Sequence, residues 1–126
     1  MTIEFLSIPF TVCKIPHGTP IPAGEFVFFS RTDHENSLVC PTSDVPADSW
    51  PREDGWCGMR IVGTLDFSLI GILAKISAVL AQAKVGIFAV STFDTDYIFI
   101  KEDGLARAKN ALSAAGYKLS ERRSNE

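Results

Sequence analysis

The sequence is short of the groups that most often carry chemistry. It holds two histidines and three cysteines, Cys13, Cys40 and Cys57. An odd cysteine count without a CxxC pair argues against a disulfide framework and against a four-cysteine zinc site. The expected state is reduced, buried thiols, as in a cytoplasmic protein. His17 and His34 lie far apart among turn-forming and polar residues, which predicts solvated loop histidines and no metal centre. GxSxG, HExxH and GxxxxGK[ST] are all absent, so no residue set nominates a reaction. The chain is expected to be non-enzymatic and to need no cofactor.

Other scarcities narrow the partners. Lys and Arg number 12 against 15 Asp and Glu, a net charge of -3. That balance disfavours nucleic acid and anionic membrane surfaces. No apolar run reaches the roughly 18 residues of a membrane span. The best candidate, residues 69–80, is broken by Gly71, Lys75 and Ser77. Residues 1–5 carry no basic segment, so no secretory signal is expected. Proline is missing from the whole stretch after Pro51, although seven prolines precede it.

What is present fits a folded chain. The 126 residues are 46% hydrophobic, enough for one domain or two small subdomains and too apolar for disorder. The proline boundary suggests a division near Gly58, into residues 1–58 and 59–126.

The second part is periodic. Residues 59–65 (MRIVGTL) read as a strand. Asp66 and Ser68 are N-cap types. Leu69, Leu73, Ile76, Leu80 and Ala83 then recur at helical spacing, with Gly86 as a stop. Residues 87–93 and 97–101 read as a hairpin turning at Asp94-Thr95. Glu102-Asp103 opens a second helix with Leu105, Ala108, Leu112 and Ala115 on one face, ended by Gly116. Residues 117–119 form a last short strand. This β-α-β-β-α-β order predicts an α+β, ferredoxin-like fold with both helices on one face of a four-stranded antiparallel sheet.

The first part is less regular. Residues 10–15 read as a strand, and 26–31 and 37–40 as a hairpin across the polar turn 32–36. The Pro-rich stretch 16–24 has room for a short helical turn, and 45–54 reads as a loop or brief helix. The outline is a shortened version of the second part.

Two segments are candidate sites. In the first, Asp66-Phe67-Ser68-Leu69-Ile70-Gly71 leads into a helix whose first N–H groups favour an anion. Gly71 would let a carboxylate approach the backbone. An ordinary capped helix describes the same residues. The second, residues 91–96, clusters polar groups at a hairpin tip, where Asp94 and Asp96 suit an ammonium or guanidinium group. Plain turn chemistry describes these too. An anion site paired with a cation site would fit a zwitterion. The β-α-β-β-α-β order also belongs to RNA-binding RRM domains. Here residues 84–89 only loosely echo their motif, and the net charge is unfavourable.

The runs GTLDFSLIGIL (63–73) and GIFAVSTFDTDYI (86–98) resemble the ACT domain proteins. The likeness is closest to small bacterial proteins with two tandem ACT-like units, themselves similar to the ACT domains of aspartate kinases and of CASTOR-type arginine sensors. Pro20–Pro22 and Leu38–Pro41 fit the same group. The resemblance implies a regulatory module that binds an amino acid at an interface between ACT units. The helix-start positions would be Leu69, Ile70, Gly71 and Ile72, and the hairpin positions Ser91, Thr92, Phe93, Asp94 and Asp96. It also implies a homodimer, with a protein partner where feedback on an enzyme is involved. The acidic hairpin tip points to a basic amino acid. The alternative is a protein-interaction module without a ligand.

Overall fold

The computed structural model describes residues 1–62 and 71–122. The chain forms two compact units, one of Met1–Ser7 with Cys57–Glu126, the other of Ile8–Trp56. Two strands are divided between them: β1 (Thr2–Lys14) and β4 (Arg52–Ile61). The boundary between the units falls at Trp56/Cys57, and the first seven residues belong with the C-terminal unit.

The C-terminal unit follows the expected order: β4, α1 (Ile72–Gln82), β5 (Ile87–Ser91), β6 (Asp96–Lys101), a 3-10 turn (Glu102–Gly104), α2 (Leu105–Ala114) and β7 (Lys118–Arg122). Its sheet runs β7-β1-β4-β6-β5. This corrects the expectation of four antiparallel strands. The start of β1 is inserted as a fifth strand, and it pairs parallel with β7 through Ile3↔Leu119 and Phe5↔Glu121. Proline lacks the ladder N–H and is unusual in a strand interior. Here Pro9 is exposed within β1.

Period-two alternation builds the core. Ile3 and Phe5 of β1, Met59 and Ile61 of β4, and Ile98 and Ile100 of β6 are buried against Ile76 and Leu80 of α1 and Ala108 and Leu112 of α2. The two helix pairs have i, i+4 spacing, the face that the periodicity marked. On β5–β6 the intervening Phe88 and Phe99 pair across the strands, with rings stacked 4.9 Å apart at 14°. On β1–β4, Arg60 Nε donates to Glu4 Oε1 at 2.8 Å, and Arg60 also donates to the Tyr97 hydroxyl at 3.3 Å.

Helix ends follow backbone chemistry. At the end of α2, Gly116 has φ +97°, and Tyr117 N and Gly116 N donate to Leu112 O and Ser113 O. This is a Schellman cap at the predicted glycine. The end of α1 differs from expectation. Lys84, not Gly86, takes the left-handed position at φ 60°, while Val85 N and Lys84 N donate to Leu80 O and Ala81 O. The apolar Val85–Leu80 pairing within the core supports this earlier stop. The N-cap types Asp66 and Ser68 lie outside the described residues.

The N-terminal unit orders its strands β2 (Phe28–Arg31), β3 (Asn36–Pro41), β1 and β4. Cys13, Ile15, Leu38 and Cys40 form its core, flanked by Val27, Phe29 and Val45. Among its described residues there is no α-helix, only the 3-10 turn Thr42–Asp44. The stretch 16–24 therefore forms no helix. The stretch 45–54 joins β4 from Arg52 on, so this strand starts well before residue 59. Its charges are accommodated by exposure and by a 2.9 Å Arg52–Asp54 bridge between same-face neighbours. Asp54 also accepts a 2.6 Å bond from the fully buried Thr11 hydroxyl.

Burial raises all three thiols above their ordinary range, Cys40 to about 11, with Cys13 and Asp44 adding to the effect on Cys40. No helix among the described residues is long and apolar enough to cross a membrane.

Candidate functional site

The predicted site residues fall in the C-terminal unit. Leu69 and Ile70 lie outside the described residues. Gly71 caps α1 with φ 80°, a conformation that a β-carbon disfavours, and a β-carbon there would meet nothing within 4 Å. The Gly71 carbonyl accepts the first helical bond, from Lys75 N at 2.8 Å. Ile72 is half-buried and its side chain packs on the core. What this end of α1 offers a ligand is therefore backbone N–H groups beside an uncrowded glycine.

The hairpin tip is built by threonine hydroxyls. Thr92 N and Thr92 Oγ1 each donate to Thr95 O at 2.9 Å, and Thr95 N donates to Thr92 Oγ1 at 3.3 Å. Ser91 Oγ donates to Asp96 Oδ1 at 2.6 Å across the strand ends. The hydroxyls of Ser91 and Thr92 thus shape the turn. Phe93, 82% exposed, and Asp94 project from it.

Thr95, absent from the predicted set, anchors the hairpin tip to the end of β4. Its side chain is buried, and Oγ1 donates to the carbonyl of Ile61, the last residue of β4, at 2.8 Å. Because β6 runs beside β4, the hairpin tip stands at the end of the sheet where the chain leaves β4 toward α1. No sequence signal separates Thr95 from ordinary turn threonines.

The N-terminal unit repeats this local chemistry. Thr32 N donates to Glu35 O at 2.9 Å, and Thr32 Oγ1 accepts from His34 N and Glu35 N. Arg31 Nε donates to Asn36 Oδ1, matching the Ser91–Asp96 bond. Beside this turn an open cavity of about 600 Å³ is lined by Lys14, His17, Arg31, His34, Glu35 and Trp50. Sequence reasoning missed it. Its one signal was the hairpin 26–40 itself, since the lining comes from residues scattered between 14 and 50. Among the described residues no cluster of His, Cys, Asp and Glu is arranged to hold a metal ion.

Comparison with known proteins bears on the family and the fold. An ACT domain family model matches residues 52–114. A crystal structure of an Agobacterium tumefaciens protein is similar over 96% of this chain and 92% of its own, at 30% identity and TM-score 0.84. The regulatory subunit of aspartate kinase from Thermus thermophilus, in a ligand-free form, shares 13% identity over 90% of this chain and 94% of its own, with TM-score 0.58. Aspartate kinase from Synechocystis is similar over 94% of this chain and 27% of its own, at 18% identity and TM-score 0.66. The last two likenesses concern the fold. No curated protein matches.

Proposed function

From the premise that this chain belongs to the ACT domain family, we propose that it is a non-enzymatic regulatory module that binds an amino acid. The proposed site pairs the start of α1 with the hairpin tip at the end of the C-terminal sheet. The observation that carries this reading is the Thr95–Ile61 hydrogen bond. It anchors an acidic, partly apolar tip to the end of β4, the strand that leads on to α1, and this supports pairing the tip with a helix start that favours anions. The ligand carboxylate takes the backbone N–H groups at Gly71 and Ile72, and Asp94 takes a cationic group. Asp94 projects from the exposed tip, and a basic amino acid satisfies both ends.

The exposure of Phe93 at 82% and of Val62 at 48%, both next to this end of β4, suits closure by a second ACT unit from another copy of the chain. The proposed assembly is a homodimer in the cytoplasm, acting on a separate protein partner. The same exposed pair also favours the second reading, a protein-interaction module without a ligand.

A thermal-shift screen against the twenty amino acids separates the two. A ligand at about 100 times its dissociation constant stabilises the fold by about 2.7 kcal/mol, several degrees for a chain of this size. A shift limited to basic amino acids and lost in Asp94→Ala supports the ligand reading. No shift with any of them leaves the interaction module.

A further inference from the structure

We infer that the cavity of the N-terminal unit takes a free purine mononucleotide, with the base stacked on Trp50 and the phosphate held by Arg31 and Lys14. The argument rests on the cavity's own residues. It goes beyond amino-acid binding and does not depend on the site in the C-terminal unit.

The cavity measures about 600 Å³, inside the range of roughly 300–1,000 Å³ typical of small-molecule sites. Backbone pairing sets its walls in a row. Arg31 of β2 pairs with Asn36 of β3, whose carbonyl accepts from Ile15 N at 3.1 Å. On the far side of β1, Lys14 N donates to Pro51 O and Trp50 N donates to Lys14 O, both at 3.0 Å. Arg31 and Trp50 thus stand three strand spacings apart, roughly 14 Å at about 4.8 Å per strand, with Lys14 between them. Trp50 is 78% exposed, and among the described residues its ring meets no other ring and no cation. A broad indole face on a cavity wall is apolar surface that a stacked ring covers. Among the described residues no ion pair engages Lys14, Arg31 or Glu35. Arg31 is steadied by its 3.3 Å bond to Asn36 Oδ1 and by lying 5.4 Å over the Phe29 ring. One edge of its guanidinium is used, and the remaining donors suit a phosphate.

Two permanent cations against one carboxylate leave this lining at +1 with neutral imidazoles. A phosphate monoester carries about −1.5 to −2 at neutral pH and offers three acceptor oxygens to Lys14 and Arg31. Glu35 accepts from the ribose hydroxyls, and its charge repels a longer phosphate chain, so the site favours a monophosphate. Inorganic phosphate engages only the cations, and a nucleoside engages only Trp50. A mononucleotide joins both ends in one molecule and gains from each. The wider purine face covers more of the indole than a pyrimidine does. The chain's net charge of -3 disfavours a polyanionic strand, so the nucleotide is free.

The test is isothermal titration of the full chain with AMP, adenosine, ribose-5-phosphate and inorganic phosphate. We expect saturable binding of AMP, with each of the other three weaker by about tenfold or more. Loss of one charged hydrogen-bond partner should weaken AMP about tenfold or more in Arg31→Gln and in Lys14→Gln. Trp50→Ala should weaken it roughly 5- to 150-fold, the loss of one base–aromatic stack, and Trp50→Tyr, which keeps a ring, should weaken it less. These three side chains are exposed, and circular dichroism verifies that each variant folds. Asp94→Ala must leave AMP binding unchanged. No heat with AMP at 10 mM or so, an order of magnitude above the roughly 1 mM of a weak site, overturns the proposal. So does ribose-5-phosphate that binds as tightly as AMP, or AMP binding that survives the Arg31→Gln, Trp50→Ala double variant.

Discussion

Thr95 and Ile61 are joined by a buried hydrogen bond: Thr95 Oγ1, on a residue 8% exposed, donates to the Ile61 carbonyl at 2.8 Å. A hairpin tip is thereby anchored to the end of the neighbouring strand, which an exposed turn alone would not require. Replacing Thr95 by Val keeps the shape and removes the donor. A buried carbonyl left without its partner costs about 1–3 kcal/mol. Urea unfolding should show that loss for Thr95→Val and a smaller one for Thr95→Ser. Equal stability of Thr95→Val and wild type would mean the bond is not what holds the tip.

Asp94 should behave differently, because it is exposed and projects from the turn. Asp94→Ala is expected to change stability by no more than about 0.5 kcal/mol, while weakening binding of basic amino acids about tenfold or more. Differential scanning fluorimetry with and without ligand reads both effects. A large stability loss would place Asp94 in the fold and not in the site.

Lys84 carries a positive φ of 60° at the end of α1, a position that glycine adopts without steric penalty. Lys84→Gly should raise stability by about 0.5–1 kcal/mol, since the Arg107 bond to the Lys84 carbonyl is made by backbone and survives. Gly71→Ala, at φ 80°, should lower stability by about 1–2 kcal/mol even though no atom crowds its β-carbon. Thermal melts of the two variants should therefore move in opposite directions. Movement in the same direction would contradict the strain argument.

Cys40 gives a pH dependence with a definite sign. Burial, aided by Cys13 and Asp44, holds the folded thiol at about 11 against 9.0 for the exposed group. Above pH 9 the unfolded chain loses its proton while the folded chain keeps it. The stabilising contribution is thus complete below pH 9 and is lost as pH rises towards 11, by about 2–3 kcal/mol at most. Chemical denaturation at pH 8 and pH 10.5 should show the decline, and Cys40→Ala should lessen it, leaving the part that Cys13 and Cys57 contribute. The same burial should make the thiols react slowly with a disulfide reagent at neutral pH in the native state.

The C-terminal unit was legible because its signals are local. Helical spacing placed Ile76, Leu80, Ala108 and Leu112, all of which are buried, and Gly116 caps α2 as its chemistry predicts. What escaped depends on distant partners. Residues 2–6 look unremarkable until β7 pairs with them from the far end of the chain. Arg52, Glu53 and Asp54 read as a loop because an exposed strand tolerates charge that a buried one does not. Of the site, the hairpin tip was visible as a polar cluster. Thr95 was not, since only the fold reveals that its hydroxyl is buried against Ile61. The Lys14–Trp50 cavity was hidden for the same reason, with its lining scattered along the sequence.

The central claim is that the C-terminal unit binds an amino acid between Gly71 and the hairpin tip. Isothermal titration with L-arginine and L-lysine, on wild type and on Asp94→Ala, tests it most directly. The account predicts saturable, one-site binding of at least one of the two by wild type, weakened about tenfold or more by Asp94→Ala, as expected when a charged partner is removed. Absence of binding by wild type, or undiminished binding by the variant, would contradict it.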